Sequence, residues 1–471
     1  MKKIFLAITL IPFLFLHSCK KENEKDDNSY EDLQYRVKIT NPIDNYDVAL
    51  GSKVTLCIEP DGQMSYYDYE KHFYIDGQEI NLTQLSEFDV WLATNNYPFE
   101  WNVNGISLGT HTLKVEMVKE GTVEARDEII VNIVNPKWEE VDISNLTGGL
   151  NYHVNDVFLL NDHIGWIAGY NSNGTKFLLK TTDKGVTWQI VNSSLYINKI
   201  AFYDENTGVA VDNVGKVYKT FDGGASYVLV TDPATGSSLF YSAMDVAFSQ
   251  TTGEYQVTAQ DINDQNKVFR VRLNDNVILQ DTSVTPESNT LLYEIKFDGS
   301  NGLIYGMEDP ATDLQYIQLS TDNGQSWQGV DIPAPSDWYG GNNNFQVQGG
   351  AIAGNNIWLV GGDSSDYLDA FSAVSNDGGN TWQIIREEEK LPFDTESFLG
   401  VVITDNGAYA VNYAAQYYPA MYYSDDNGAS WKPLYEITTH NEDQHVSHID
   451  FKGTDFGITA GEGILYRFAS H

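Results

Sequence analysis

Thr181-Thr182-Asp183-Lys184-Gly185-Val186-Thr187-Trp188 decides how this chain folds, because the pattern returns four more times. The other copies are Thr220–Tyr227, Ser320–Trp327, Ser375–Trp382 and Ser424–Trp431. All fit Ser/Thr-x-Asp-x-Gly-x-Ser/Thr-Trp/Tyr. Five copies exclude coincidence, and a repeat governs every later reading. The chemistry is that of a tight turn between strands. Asp bonds nearby backbone N–H groups, and Gly accepts a positive φ. The closing aromatic supplies a large area to bury between neighbouring sheets. Asp183, Asp222, Asp322, Asp377 and Asp426 are therefore read as turn formers, not as catalytic groups.

Working outward, each copy follows an apolar strand, a Gly-containing second strand and a third strand. Val157–Leu160 with Gly165–Gly169 is one example, and Ile200–Phe202 with Gly208–Val211 is another. Asp222 to Asp322 is twice the usual spacing. Met244–Phe248 and Val268–Leu273 predict a sheet in that gap, with its turn decayed to Asn274-Asp275-Asn276. After the fifth copy, His448–Phe451, Gly457–Gly461 and Ile464–Phe468 give three strands and the chain ends. Trp138-Glu139-Glu140-Val141 matches Trp188-Gln189-Ile190-Val191, so an N-terminal strand completes the last sheet. Closure of that kind removes exposed edges. The expectation is seven sheets over residues 137–471.

The motif is that of the Asp-box, or BNR, repeat. The region resembles the seven-bladed β-propellers of the sialidase and sortilin type and of the photosystem II assembly and stability factor-like group. The resemblance implies a fold and leaves activity open. Sialidases need three arginines around a carboxylate, a Tyr–Glu nucleophile pair, an acid Asp and an Arg-Ile-Pro motif. This region has only Arg270, Arg272, Arg386 and Arg467, and no Arg-Ile-Pro. Sialidase chemistry is not expected on that ground.

Residues 31–135 have another character. Short β-type runs such as Tyr35–Ile39, Lys53–Ile58, Phe73–Ile75, Leu108–Glu116 and Ile129–Val134 alternate with turn signals, among them Asp76-Gly77. This stretch is similar to the immunoglobulin-like spacer domains of bacterial surface proteins. The whole chain is thus expected to be all-β, a sandwich followed by a propeller.

The N-terminus reads as a targeting segment. Lys2 and Lys3 precede the apolar run Ile4–Leu16, and Leu16-His17-Ser18-Cys19 follows. The run is too short to span a bilayer and suits a signal peptide over 1–18. The ending resembles a bacterial lipobox, which implies cleavage before Cys19 and acylation of its thiol. Residues 19–30 carry no apolar surface to bury and read as a disordered tether. Similar stretches in Bacteroidetes-type lipoproteins imply the outer membrane and the cell surface. With Cys19 in the anchor, Cys57 is alone in an apolar run and reads as a buried core residue.

The formal charge is −38. That excludes non-specific binding to nucleic acid or to anionic lipid. No cofactor motif is present. His153, His440, His445 and His448 lack metal-site spacing, and Asp261–Asn266 lacks the Gly and closing Glu of a calcium loop. Exposed aromatics beside polar residues are the remaining signal. They fall on loops expected opposite the Asp-box turns: Phe240-Tyr241, Asp337-Trp338-Tyr339, Tyr367 and Tyr417-Tyr418. Two functions stay open. One is a non-catalytic module whose flat aromatic face, with Asp337, Trp338, Tyr339, Tyr367, Tyr417 and Tyr418, binds a polysaccharide or an envelope protein. The other is a glycoside hydrolase or lyase using two of the loop carboxylates Glu308, Asp309, Asp337, Asp363, Asp366 and Glu396. Carboxylates converging in a central pocket with raised pKa would favour the second. The first is the expectation.

Overall fold

The computed structural model of the chain describes residues 33–469 apart from 34, 61, 63, 85–96, 213, 232–239, 250–251, 262–265, 273–277, 282–283, 285, 287–289, 310–313, 333–344, 364–369, 387–396, 413–419, 435–436 and 438–444. Among the described residues the architecture is all-β, with one short α-helix at Ser144–Thr147 and one 3-10 turn at Tyr66–Asp68.

The N-terminal part holds two sheets. One orders Val37–Asn41, Lys53–Pro60, Tyr97–Asn102 and Thr83–Gln84. The other orders Tyr46–Ala49, Thr122–Val134, Gly109–Lys119, Glu70–Ile75 and Gln78–Ile80. Alternation along each strand sends one set of side chains inward, so both sheets feed one core. Leu56, Ile58, Phe99 and Trp101 from the first meet Phe73, Leu113, Val115 and Val131 from the second. Asp76 and Gly77 both take positive φ, 48° and 77°, as the hairpin turn requires. Cys57 is buried in this core, and burial pushes its thiol up to about 12, which makes it inert. Leu108, expected in a strand, is instead exposed just before Gly109–Lys119 begins.

Among the described residues, seven four-stranded antiparallel sheets follow, over 152–192, 199–230, 240–281, 291–329, 345–386, 398–433 and 446–468. Six use strands consecutive in the chain. The seventh has only three of its own and is completed by Trp138–Glu140. Trp138 pairs with Phe468, Glu139 with Arg467 and Glu140 with Tyr466. The first strand of each sheet touches the first strand of the next, and that of the seventh touches that of the first.

The Asp-box turns share one geometry. In the first, Asp183 Oδ1 accepts the Thr187 N–H at 2.9 Å, and Oδ2 accepts the Thr187 hydroxyl at 2.6 Å. Thr181 Oγ accepts the Gly185 N–H at 3.0 Å. The sets around Asp222, Asp322, Asp377 and Asp426 repeat this. Two successive residues are left-handed: Lys184 and Gly185 at φ 60° and 76°, Asn427 and Gly428 at 59° and 77°. Gly at the second place is required twice over. A Cβ on Gly185 would lie 2.7 Å from Ile458 of the neighbouring sheet, and one on Gly428 2.9 Å from Val374. The aromatics bridge sheets as expected, Trp431 standing edge-on to Trp358 at 5.6 Å. Asp426→Ala removes three acceptor contacts and is expected to cost about 1–3 kcal/mol. Urea unfolding of the variant measures this, and an unchanged midpoint would contradict the turn-forming role.

The strand pattern also fixes which turns share an end of each sheet. First and third strands of a sheet run parallel, so first-hairpin turns and Asp-box turns share one end. The Lys184 N–H donates to His163 O at 3.1 Å, and the Asn323 N–H to Ser300 O at 2.8 Å, joining the two kinds of turn.

Candidate functional site: a charged central channel

The seven first strands surround a cavity of about 460 Å³. The size falls within the range of small-ligand pockets. Its wall runs from mid-strand to the first-hairpin turns, so it occupies the Asp-box half of the channel.

One position per sheet sets its chemistry. Counting back four residues from each first-hairpin turn gives Asp156, Lys199, Asp245, Glu294, Gly349, Gly400 and His448. All seven line the cavity. In six of the seven sheets a β-bulge falls just before this residue, for example between Val154 and Asp156 and between Leu292 and Glu294. A bulge re-aims the side chain that follows it. The two glycines serve close packing, since a Cβ on Gly349 would lie 2.6 Å from Gly400 Cα.

Five of the seven positions are ionisable. Lys199 Nζ stands 3.4 Å from Asp156 Oδ1 and 3.4 Å from Glu294 Oε1. Lys296, two residues past Glu294, stands 3.1 Å from its Oε2. Burial alone would lower Lys199, but Asp156 and Glu294 outweigh it and hold the ammonium charged. Burial would raise Glu294, and Lys296 with Lys199 overcome that and hold its carboxyl far below the usual range. Burial drives Asp156 up to about 6 despite Lys199. Asp245 is pushed up by burial and by the charges of Glu294 and Asp156, with Lys199 opposing. Burial and then Lys199 push His448 down to about 3, leaving a neutral imidazole.

Three carboxylates also tie adjacent sheets together. The Ile200 N–H donates to Asp156 Oδ2 at 2.9 Å, and the Ile295 N–H to Asp245 Oδ2 at 2.9 Å. The Leu159 N–H donates to Asp450 Oδ2 at 2.7 Å across the closing seam. Each bond caps the inward edge of a first strand, which would otherwise present unpaired donors.

This geometry corrects one expectation. Carboxylates with raised pKa do converge in a central cavity, yet they come from first strands, not from the loops named above. Of those loop carboxylates, Glu308 lies within a second strand and is half-buried, and Asp309 and Asp363 close second strands. Asp337, Asp366 and Glu396 lie outside the described residues, as do Trp338, Tyr339, Tyr367, Tyr417, Tyr418 and Cys19. Phe240 and Tyr241 begin the first strand of the third sheet. The arginines hold structure: Arg270 donates to Gly324 O, Arg272 to Glu254 at 2.8 Å, and Arg467 to Glu139. His153 Nδ1 lies 2.6 Å from Glu462, with His445 on its other oxygen at 3.7 Å. Among the described residues, no group of three His, Cys, Asp or Glu is placed to hold a metal. The channel ring itself was absent from the sequence reading. Its signal is an ionisable residue at one fixed distance before the turn in five repeats.

Residues 422–433 match the BNR/Asp-box repeat family. No curated protein matches the sequence. Among solved structures, YCF48 bound to D1 peptide superposes with a TM-score of 0.51 at 17% identity, over 72% of this chain and 98% of that one. YCF48 from Cyanidioschyzon merolae gives 0.51 at 13% identity, over 71% and 98%. The GH74 enzyme of Niastella koreensis gives 0.47 at 12% identity, over 61% and 47%, a likeness too slight to fix fold or function. The chain carries a BNR/Asp-box repeat and has a β-propeller-like fold.

Proposed function

We propose that this chain is a lipid-anchored envelope protein whose seven-bladed propeller, held off the membrane by an immunoglobulin-like spacer, binds a partner without catalysis. The observation that supports the non-catalytic reading is the engagement of the channel carboxylates. A general acid or base must face its substrate with a free oxygen and a proton to move. Asp156 accepts a backbone N–H on one oxygen and faces Lys199 with the other. Glu294 is held between two ammonium groups. Such groups hold a ring together and are poorly placed to exchange protons.

The partner is a polysaccharide or an envelope protein, met on the face opposite the Asp-box turns through Trp338, Tyr339, Asp337, Tyr367, Tyr417 and Tyr418. The raised carboxyl of Asp156 favours a second reading, glycoside cleavage, in which it would serve as the acid. A screen of the protein against glycan arrays and insoluble polysaccharides, with product analysis of each hit, separates the two. Binding without new reducing ends, lost in Trp338→Ala, is the expected result. Release of sugar products would overturn the non-catalytic reading. Failure to bind any glycan would leave a protein partner.

A further inference from the structure

The second of the seven sheets differs from the others at its surface. The repeats supply an internal standard, because equivalent positions can be compared within one chain. The residue between Ser/Thr and Asp of the box is Thr182, Thr321, Asn376 and Asp425 in four copies, and Phe221 in the second. The residue after the box aromatic is Gln189, Gln328, Gln383 and Lys432 in four copies, and Val228 in the second. Phe221 is 60% exposed and Val228 56%. Leu229 is exposed beside Val228. Ile190 and Val186 of the first sheet add to this surface, and Asn192 there bonds Ala225 O of the second box at 3.1 Å. Among the described residues, no large hydrophobic from 231 onward is exposed.

Charge follows the same division. Residues 150–230 carry six lysines against seven carboxylates. Residues 231–471 carry nine cations against thirty-four carboxylates. The apolar surface therefore lies on the one part of the ring that is nearly neutral.

The outer strand of this sheet, Val228–Val230, is also an edge. Val228 pairs with Lys219 and Leu229 with Tyr218 on the inner side. Among the described residues, nothing bonds the outer side. Natural edges are blunted by charge or proline. The sixth sheet shows both, in Lys432 and Pro433. The second sheet shows neither.

We infer that the outer edge and Asp-box corner of the second sheet, centred on Phe221, Val228 and Leu229, form a contact with a second copy of this chain. Self-association fits on two counts. An apolar edge is its own complement, so a two-fold axis can set Val228–Val230 antiparallel to itself. Two strongly acidic chains repel over most of their surfaces and can approach through the neutral sector. Added salt screens the remaining repulsion, so the dimer should tighten with ionic strength.

The test uses the full chain in detergent, followed by sedimentation velocity from low to high micromolar concentration. A concentration-dependent dimer is expected, strengthened at higher salt. Phe221→Thr and Val228→Gln install the residues of the other repeats, so the fold is preserved. Together they should abolish the dimer, whereas Gln328→Val at the equivalent place in the fourth sheet should leave wild-type dimerisation unchanged. A monomer at every concentration overturns the inference. So does a dimer indifferent to the double substitution. Loss of dimerisation with glycan or protein capture retained separates this surface from the face proposed above.

Discussion

Trp138→Ala is expected to lower stability by about 3–5 kcal/mol, the usual range for deleting a fully buried large aromatic. Trp138 is 2% exposed and sits in the three-residue strand that completes the seventh sheet. Its ring stands edge-on to Phe468 at 5.4 Å, Tyr409 at 5.7 Å and Phe451 at 6.3 Å. It thereby joins the closing strand, the rest of the seventh sheet and the sixth. Three paired residues, two flanking backbone bonds (Val141 N–H to Leu465 O at 2.8 Å and Ala469 N–H to Lys137 O at 2.6 Å) and the Arg467–Glu139 ion pair hold the closing strand in register, and Trp138 supplies its buried apolar anchor. Guanidinium unfolding measures the loss. Trp138→Phe should recover part of it, because a ring remains in the site. A cost below about 1 kcal/mol for the alanine variant would show that the seam is held elsewhere.

Lys199→Met should have the second large effect, and it should depend on pH. Breaking a buried ion pair by removing one partner costs about 3–5 kcal/mol, since the surviving charges are left uncompensated. In the native channel Glu294 is held low, so its contribution is present above its unfolded pKa and fades as pH falls through the folded value. Asp156 behaves in the opposite way. Its folded pKa of about 6 lies above the unfolded value, so the folded state keeps a proton that the unfolded state has released. Its contribution falls as pH rises from about 4 to about 6. Without Lys199 both carboxylates move upward. The destabilisation should therefore already be present near pH 4, through the Glu294 carboxylate that is still ionised there, and should grow as pH rises past about 6 toward 8, where wild-type Asp156 ionises beside Lys199. Thermal or urea unfolding across that window checks the sign, and Lys199→Arg, which retains the charge, should lie close to wild type. A pH-independent loss would mean that packing, not charge, explains the lysine.

The box turns were legible in the sequence because their bonds are local. Asp183 reaches Thr187, four residues away, and the same spacing recurs in every copy. The closing strand was legible because Trp138-Glu139 repeats the Trp-x start of the other fourth strands. In the N-terminal part, Phe73–Ile75 and its Asp76-Gly77 turn stood out, but Tyr97–Asn102 did not. Pro98 interrupts that run, and proline argues against a strand until its pairing is seen. Here it faces Cys57. The channel ring was illegible for a different reason. Asp245 and His448 stand in runs that read simply as strands, and their direction is set by a bulge and by ring closure. Lys199 meets Glu294 across 95 residues, a partnership no local pattern announces.

The bulge that precedes the inward residue in six sheets separates scaffold from lining. Because it delivers one side chain per sheet, the interior can be rewritten at seven addresses while the pairing around them stays fixed. Acid, base, imidazole and bare backbone already coexist there, at Glu294, Lys199, His448 and Gly400. The channel therefore works like a combination dial. Sign, width and proton content follow from seven letters read together, since Lys199 is set by Asp156 and Glu294 and Gly349 by Gly400, and a relative with the same outer walls could hold a different interior only by changing them in concert.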